Sequence, residues 1–350
     1  MIQPNSTPAA PTELLMRAKD LEVHFPIRRG VLKRVVGHVR AVDGITLDIR
    51  AGETLSVVGE SGCGKTTLGQ ALVRVLEPTA GRIEYARQGA QPTDIAHLSE
   101  AELRPYRSDI RMIFQDPFAS LNPRRRVIDI IGESLRNFGV TDEREVETRV
   151  ANLLRKVGLR PEYMARFPYA FSGGERQRIG IARALAVHPR LVVADECVSA
   201  LDVSIQAQTL NLMQDLQEEF ALTYVFISHD LSVVEYISDR VAVMYAGRIV
   251  ELSDTEPLFA RPRHPYTSAL LAAVPRPDPR RARTRQQIRL KGEVADPANR
   301  PSGCAFHPRC PFATDRCRTE DPQLRPVGSG MAACHFAESL DLKGVNADAA

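Results

Sequence analysis

Short runs rich in β-branched and apolar residues recur along the chain: ITLDI at 45–49, TLSVV at 54–58, LVVA at 191–194, TYVFIS at 223–228 and RVAVMY at 240–245. Helical patterns lie between them, which predicts an α/β fold. The helix after Lys65 is expected to bury Leu68, Ala71, Leu72, Val75 and Leu76. A second, near 204–220, is expected to place Ile205, Thr209, Leu212, Leu216 and Phe220 on one face. From about 127 to 168 the strand signal gives way to VIDIIGESLRNFG and EREVETRVANLLRKVG, so a helical subdomain should interrupt the sheet before it resumes at Leu191. Residues 1–12, rich in Pro, Ala, Ser and Thr, and residues 338–350 read as disordered ends. After about residue 255 the chain turns Pro- and Arg-rich and then cysteine-bearing, which marks a C-terminal extension.

Composition narrows the function classes. With 350 residues the chain has room for one large domain and an extension. Lys and Arg number 46 against 43 Asp and Glu, a net +3, so any surface for nucleic acid or anionic lipid must be local. No apolar run approaches the roughly 18 residues of a spanning helix, so the chain is not expected to cross a membrane itself. The start, MIQPNSTPAAPTELL, has neither a basic n-region nor an apolar h-region, and a cytoplasmic setting is expected.

Chemistry is densest at GESGCGKT, Gly59–Thr66, which fits G-x-x-x-x-G-K-[ST] between an apolar strand and an amphipathic helix. Gly59, Gly62 and Gly64 permit turns that aim successive N–H groups at phosphate oxygens, and the helix N-terminus adds its positive dipole end. Lys65 would reach the β and γ phosphates, and Thr66 would offer its hydroxyl to a bridging magnesium ion. Glu60, Ser61, Cys63 and Thr67 complete the expected nucleotide contacts. The run LVVADE ends in two acids at a strand's carboxyl end, where ligands bind in such sheets. Asp195 is expected to hold the magnesium and Glu196 to act as general base towards water. In FSGGERQR, Ser172 and Glu175 form a capping box at the head of a helix, with Gly173 and Gly174 leaving its N-terminus open to an anion. Two phosphate-reading helices for one nucleotide imply that two chains share it.

Taken with Gln115 in IRMIFQDP, SALD at 199–202 and His229 in ISHD, these motifs stand in an order that resembles the ATP-binding cassette (ABC) ATPases. The resemblance implies a RecA-like P-loop core with an antiparallel β subdomain, and a helical subdomain at about 116–171. The whole cassette would take residues 13–255. It implies a head-to-tail pair in which Ser172, Gly173, Gly174 and Glu175 of one chain close over the γ-phosphate bound by the other, with Asp202 at the seam. His229 would contact that phosphate and orient the water, and Gln115 would join the magnesium. Catalysis would thus rest on Glu196, His229, Gln115 and Lys65, with magnesium on Thr66, Gln115 and Asp195. Phe25, in LEVHF, is the candidate adenine platform. Phe171 and Glu175 stand where many members carry Leu and Gln, and Cys197 where Pro is usual, which could loosen the turn after Glu196.

FQDPFASLNPRRRV, DECVSALDVSIQAQTLNL and RHPYTSALL closely resemble the ATP-binding subunits of oligopeptide and dipeptide importers over about residues 20–336. That implies ATP hydrolysis driving peptide import, and a peripheral place at the cytoplasmic face of the inner membrane. The implied partners are a sister ATPase, with this chain as second member of the pair, two permeases and an extracytoplasmic binding protein. The insert at 26–40 carries Arg28, Arg29, Lys33, Arg34 and Arg40 among Val31, Leu32, Val35 and Val36, and reads as a solvated basic hairpin or a lipid-facing one. A different class, a soluble cassette regulator with a metal- or redox-sensing C-terminal module binding nucleic acid, would draw on Arg276, Arg280, Arg281, Arg283, Arg285, Arg289 and Lys291.

Cys304, Cys310, Cys317 and Cys334 fall in a Pro-rich segment, 256–337, with little evident core, so a staple is expected. Disulfides are disfavoured in the cytosol, and structural zinc usually needs a tight C-x2–4-C pair, although His307 and His335 could stand in. Four thiolates on spread loops suit a 4Fe-4S cluster better, and the importer family's C-terminal region, with GCAFHPRCP and ACH, is similar to one that carries such a cluster. Zinc, or no metal, remain the alternatives.

Overall fold

The structure, a computed structural model, describes residues 13–30, 33–87, 89–116, 120–273 and 295–345. The expected N-terminal segment 1–12, Val31 and Leu32 of the basic insert, the basic run Arg276–Lys291 and residues 346–350 lie outside them. Among the described residues the strands form two sheets. The first pairs β1 (Leu14–Arg29) with β2 (Arg34–Arg50), and carries β4 (Ala80–Tyr85) and β5 (Thr93–Asp94) on the other side of β1. All its pairings are antiparallel. The basic insert is the tip of the β1–β2 hairpin, with Arg29 opposite Arg34 and Val35 and Val36 exposed.

The second sheet is the scaffold of the site. Five strands run parallel in the order β9 (Arg240–Tyr245), β3 (Thr54–Val58), β8 (Thr223–Ile227), β7 (Leu191–Asp195), β6 (Ile110–Ile113). Every residue of β3, β7, β8 and β9 is buried, as strands covered on both faces must be, and this is why they read as unbroken apolar runs. Antiparallel β10 (Arg248–Asp254), β12 (Gly330–Ala332) and β11 (Arg325–Val327) extend the sheet past β9.

Helix α1 (Lys65–Leu72) follows β3, and α2 (Glu100–Leu103) precedes β6. Leu68, Ala71 and Leu72 are buried as expected, but Val75 is exposed and the helix has already ended. The cause is Arg74, which turns left-handed at φ 56° and sends its guanidinium to the carbonyls of Ile95 and Leu98. Helices α3 (Val127–Asn137), α4 (Glu143–Lys156) and α5 (Gly173–Leu185) share one core with α6 (Val203–Phe220). On α6 the buried stripe runs through Thr209, Leu210, Met213 and Leu216, so Ile205, Leu212 and Phe220 are only half-buried at its edges.

After α7 (Leu231–Ile237), α8 (Thr255–Ala260) and α9 (Pro265–Ala272), a short α10 (Asp315–Thr319) carries one of the cysteines. The extension is not short of a core. Phe259, Tyr266, Leu271, Ala305 and Phe306 pack with Val58, Val241, Val243 and Tyr245 of the parallel strands. The expectation of a disordered end from 338 is corrected over 338–345: Leu342 and Val345 are buried, and the Val345 N–H donates to the Phe259 carbonyl at 2.7 Å. Among the described residues no helix is long and apolar enough to cross a membrane.

Candidate functional site

The loop Gly59–Thr66 leaves the carboxyl end of β3 and enters α1. Two of its glycines are required by close approach as well as by φ. A Cβ on Gly59 (φ 155°) would meet the Met244 carbonyl oxygen at 2.2 Å, and one on Gly64 (φ 104°) the Ala41 carbonyl oxygen at 1.9 Å. Ser61 and Gly62 are exposed at the crest, and Cys63 is buried beneath. The Lys65 ammonium, 5% exposed, donates to the carbonyls of Gly59 at 2.8 Å and Glu60 at 3.1 Å, folded back along the loop's inner side. Phe25 stands on β1 opposite Val39, two residues from the Ala41 that packs on Gly64, with its ring 41% exposed. Thr67 is half-buried in the first turn of α1.

Three neighbouring parallel strands deliver the polar groups facing this loop. At the end of β7, Asp195 is 2% exposed and its Oδ1 accepts the Thr66 hydroxyl at 3.1 Å. Burial raises the Asp195 carboxyl above its ordinary range, with Thr66 and Lys65 pulling the other way. Glu196 sits left-handed at φ 43°, its N–H donating to the Ile227 carbonyl at 2.9 Å. That turn presents its carboxylate to residues beyond the ends of β6 and β8: the Gln115 amide donates to Oε2 at 3.0 Å, and His229 Nδ1 lies 3.3 Å from Oε1. Residues that stand 81 and 33 apart from Glu196 in sequence thus converge in the crevice at the strand ends, where doubly wound sheets take ligands. Cys197 turns inward, 3.9 Å from Met213 Sδ, and burial pushes its thiol up to about 12, so it fills core space and is not a nucleophile.

None of these bonds involves Ser172–Glu175 or Asp202. Ser172 caps α5 in a full capping box: its Oγ accepts the Glu175 N–H, and the Glu175 carboxylate takes the Ser172 N–H at 2.9 Å. The helix packs on α3, α4, α6 and β6. Phe171 before it is buried edge-on against Tyr163 at 5.5 Å, which explains a larger residue than Leu there. Asp202 is exposed at the N-cap of α6, beside Val203 at 82% exposure.

Sequence reasoning missed what holds the loop from outside. The Glu60 N–H donates to the Tyr266 hydroxyl at 2.8 Å, the Gly247 N–H to the Cys63 carbonyl at 3.0 Å, and Arg309 pairs with the Glu60 carboxylate. No local pattern marks these partners.

Cys304, Cys310, Cys317 and Cys334 are free thiols lining one small cavity of about 20 Å³, with Phe306, Phe312 and Phe336 around them. Burial, joined by the neighbouring cysteines, pushes Cys304 up to about 11 and Cys310 to about 12. The expected stand-in histidines line the same cavity, with His307 Nδ1 on the Cys304 carbonyl and His335 Nε2 on the Glu320 carbonyl, each at 3.0 Å. Among the described residues no group of three or more His, Cys, Asp or Glu side chains is arranged to hold a metal ion. The arrangement therefore supports neither a single zinc, whose four sulfurs would stand about 3.8 Å apart, nor the expected iron-sulfur cluster.

The ABC transporter family pattern matches residues 42–199, and that of the oligopeptide/dipeptide transporter C-terminal region matches 250–317. A probable peptide ABC transporter ATP-binding protein from Sinorhizobium fredii is 54% identical over 93% of this chain and 90% of that one. The chain belongs to the peptide ABC transporter ATP-binding proteins. This subunit is also 51% identical to the oligopeptide transport ATP-binding protein AppF of Bacillus subtilis, over 94% of this chain and 99% of that one. The di/tripeptide transport ATP-binding protein DppF of Pseudomonas aeruginosa is 48% identical over the same shares. Among solved structures, an ATP-binding cassette dimer bound to ADP and Pi superposes with a TM-score of 0.60 at 24% identity, covering 69% of the subunit and 99% of that chain. That likeness carries the fold: an ABC cassette.

Proposed function

We propose that this subunit hydrolyses ATP as one half of a two-cassette motor that energises import of dipeptides or oligopeptides. The observation that carries the reading is the convergence of Thr66, Asp195, Glu196, Gln115 and His229 beside the Gly59–Thr66 loop. The loop N–H groups and Lys65 bind the phosphates, and Thr66 and Asp195, with Gln115, would hold a magnesium ion. An ion bound there would supply neutralisation of the charge on the transferred phosphate. Glu196 takes the proton of the attacking water, held for that task between the Gln115 amide and His229. Ser172–Glu175 and Asp202 serve the nucleotide of the partner cassette; Ser172 and Asp202 stand exposed at the heads of α5 and α6. Phe25 stacks on the base.

The relatives' names support peptides as cargo and a transporter as the assembly. We place the subunit at the cytoplasmic face of the membrane, paired with a sister ATPase as the second member of the pair. Two permeases carry the path, and an extracytoplasmic binding protein delivers the peptide. Reconstituted with those partners, the subunit should drive ATP-dependent peptide uptake, and Lys65→Ala should abolish it. Uptake that persists without ATP, or with the Lys65→Ala subunit, sinks the proposal.

We further propose a 4Fe-4S cluster as the ligand of the four cysteines, on the ground that all four line one cavity. Its place behind Phe306 and Tyr266 suits a structural role. Anaerobic purification should give a brown protein with acid-labile sulfide. A colourless one ends this part of the reading.

A further inference from the structure

We propose that Arg309 is a positioning residue for the phosphate loop: through Glu60 it fixes the loop's first turn and ties the cysteine-bearing extension to the ATP site. The inference rests on the reading of Gly59–Thr66 as the phosphate loop. Arg309 Nη1 and Nη2 donate to Glu60 Oε2 and Oε1 at 2.6 and 2.9 Å, a two-pronged bond that fixes direction as well as distance. The guanidinium is 5% exposed and lies 6.0 Å from the Tyr245 ring centroid.

Glu60 is held at three points. Its carboxylate takes Arg309, its N–H donates to the Tyr266 hydroxyl at 2.8 Å, and its carbonyl accepts Lys65 Nζ at 3.1 Å and the Cys63 N–H at 3.3 Å. Two of these anchors come from beyond residue 255, and the third is the lysine that must meet phosphate. Releasing Arg309 frees the residue that aims both the Lys65 ammonium and the Cys63 N–H.

On its other side Arg309 belongs to the turn that carries the cysteines. The His307 N–H donates to the Cys304 carbonyl at 2.9 Å, the Arg309 N–H to Phe306 at 3.0 Å and the Cys310 N–H to His307 at 3.3 Å. Cys304 to Cys310 is therefore one hydrogen-bonded unit with Arg309 inside it, so whatever fixes those cysteines also sets the guanidinium.

An ion pair that only adds stability would lower the melting temperature and leave the folded fraction's nucleotide affinity unchanged. The full-length subunit would be compared as wild type, Arg309→Ala, Arg309→Lys, Glu60→Gln, the Glu60→Gln/Arg309→Ala double variant and Lys65→Ala. Titration with a fluorescent ATP analogue and magnesium gives Kd, ATPase assays give KM and kcat, and circular dichroism gives the folded fraction. Arg309→Ala is expected to raise Kd and KM about tenfold with kcat within about twofold, the scale of one lost charge-assisted bond. Arg309→Lys should fall between, since an ammonium cannot fork onto both oxygens. The double variant should be no worse than the worse single. Wild-type Kd and KM in Arg309→Ala overturn the proposal, as does additive loss in the double variant. If Arg309→Ala does not fold, wild-type affinity in both Arg309→Lys and Glu60→Gln overturns it equally. Undiminished binding by Lys65→Ala would instead refute the phosphate-loop reading.

Discussion

Replacing one glycine of the phosphate loop at a time separates what the loop's shape requires from what its sequence merely contains. Gly62 and Gly64 both have positive φ, 79° and 104°, so an alanine at either bears the left-handed penalty of about 1–2 kcal/mol. Their surroundings differ. Nothing lies within 4 Å of a Cβ on Gly62, whereas one on Gly64 would sit 1.9 Å from the Ala41 carbonyl oxygen and 2.8 Å from Met244 Cε. The Ala41 carbonyl is backbone of β2 and cannot swing aside, so the hairpin and the loop must part, adding about 1–3 kcal/mol of overpacking strain. Gly62→Ala should therefore lose about 1–2 kcal/mol in urea unfolding and Gly64→Ala about 2–5 kcal/mol. Fluorescent ATP titration of folded Gly64→Ala should also show at least tenfold weaker binding, because the displaced turn no longer aims its N–H groups. Equal unfolding losses for the two variants, or wild-type affinity in Gly64→Ala, would refute the reasoning.

Two further outcomes follow from burial. His264 is 1% exposed, its Nδ1 accepts the Tyr266 N–H, and burial holds the imidazole down to about 3 against an ordinary 6.5. A depressed histidine gives full stability above 6.5 and loses it as pH falls towards 3, because only the unfolded chain takes up the proton. His264→Asn keeps a capping acceptor without the titration, so between about pH 7.5 and 5.5 wild type should lose about 1.4 kcal/mol more than the variant. Parallel pH profiles would remove His264 as the cause. Truncation after residue 337 removes the buried Leu342 and Val345 and should cost about 2–4 kcal/mol of unfolding free energy, where a free tail would cost nothing.

Much of the scaffold was legible because burial on both faces writes itself into sequence. TLSVV and RVAVMY coincide with β3 and β9 to the residue. The long β1 and β2 were only partly visible, since one face is wet and the register shifts repeatedly along them. The helix after Lys65 was overextended, because nothing in its apolar spacing reveals that Arg74 turns back towards Ile95 and Leu98. In the site, the loop, both carboxylates and the capping box were readable because each is a local pattern with a local mechanism. Glu60's partners were not: Tyr266 and Arg309 lie 206 and 249 residues away, and a contact at that range is made by topology. The extension looked coreless for a similar reason. Its apolar residues are few, and they complete a core begun by β3 and β9.

In the proposed mechanism Glu196 draws a proton from water beside a nucleotide held by Lys65, Thr66 and Asp195. Glu196→Gln keeps the side chain's size and its amide oxygen available to Gln115, and removes the base. Single-turnover hydrolysis, with ATP affinity measured on the same preparation, is the direct test. Binding should be unchanged and hydrolysis slower by about 10²–10⁴-fold. Hydrolysis within a few-fold of wild type would contradict the mechanism, and would move the base to another group in the crevice.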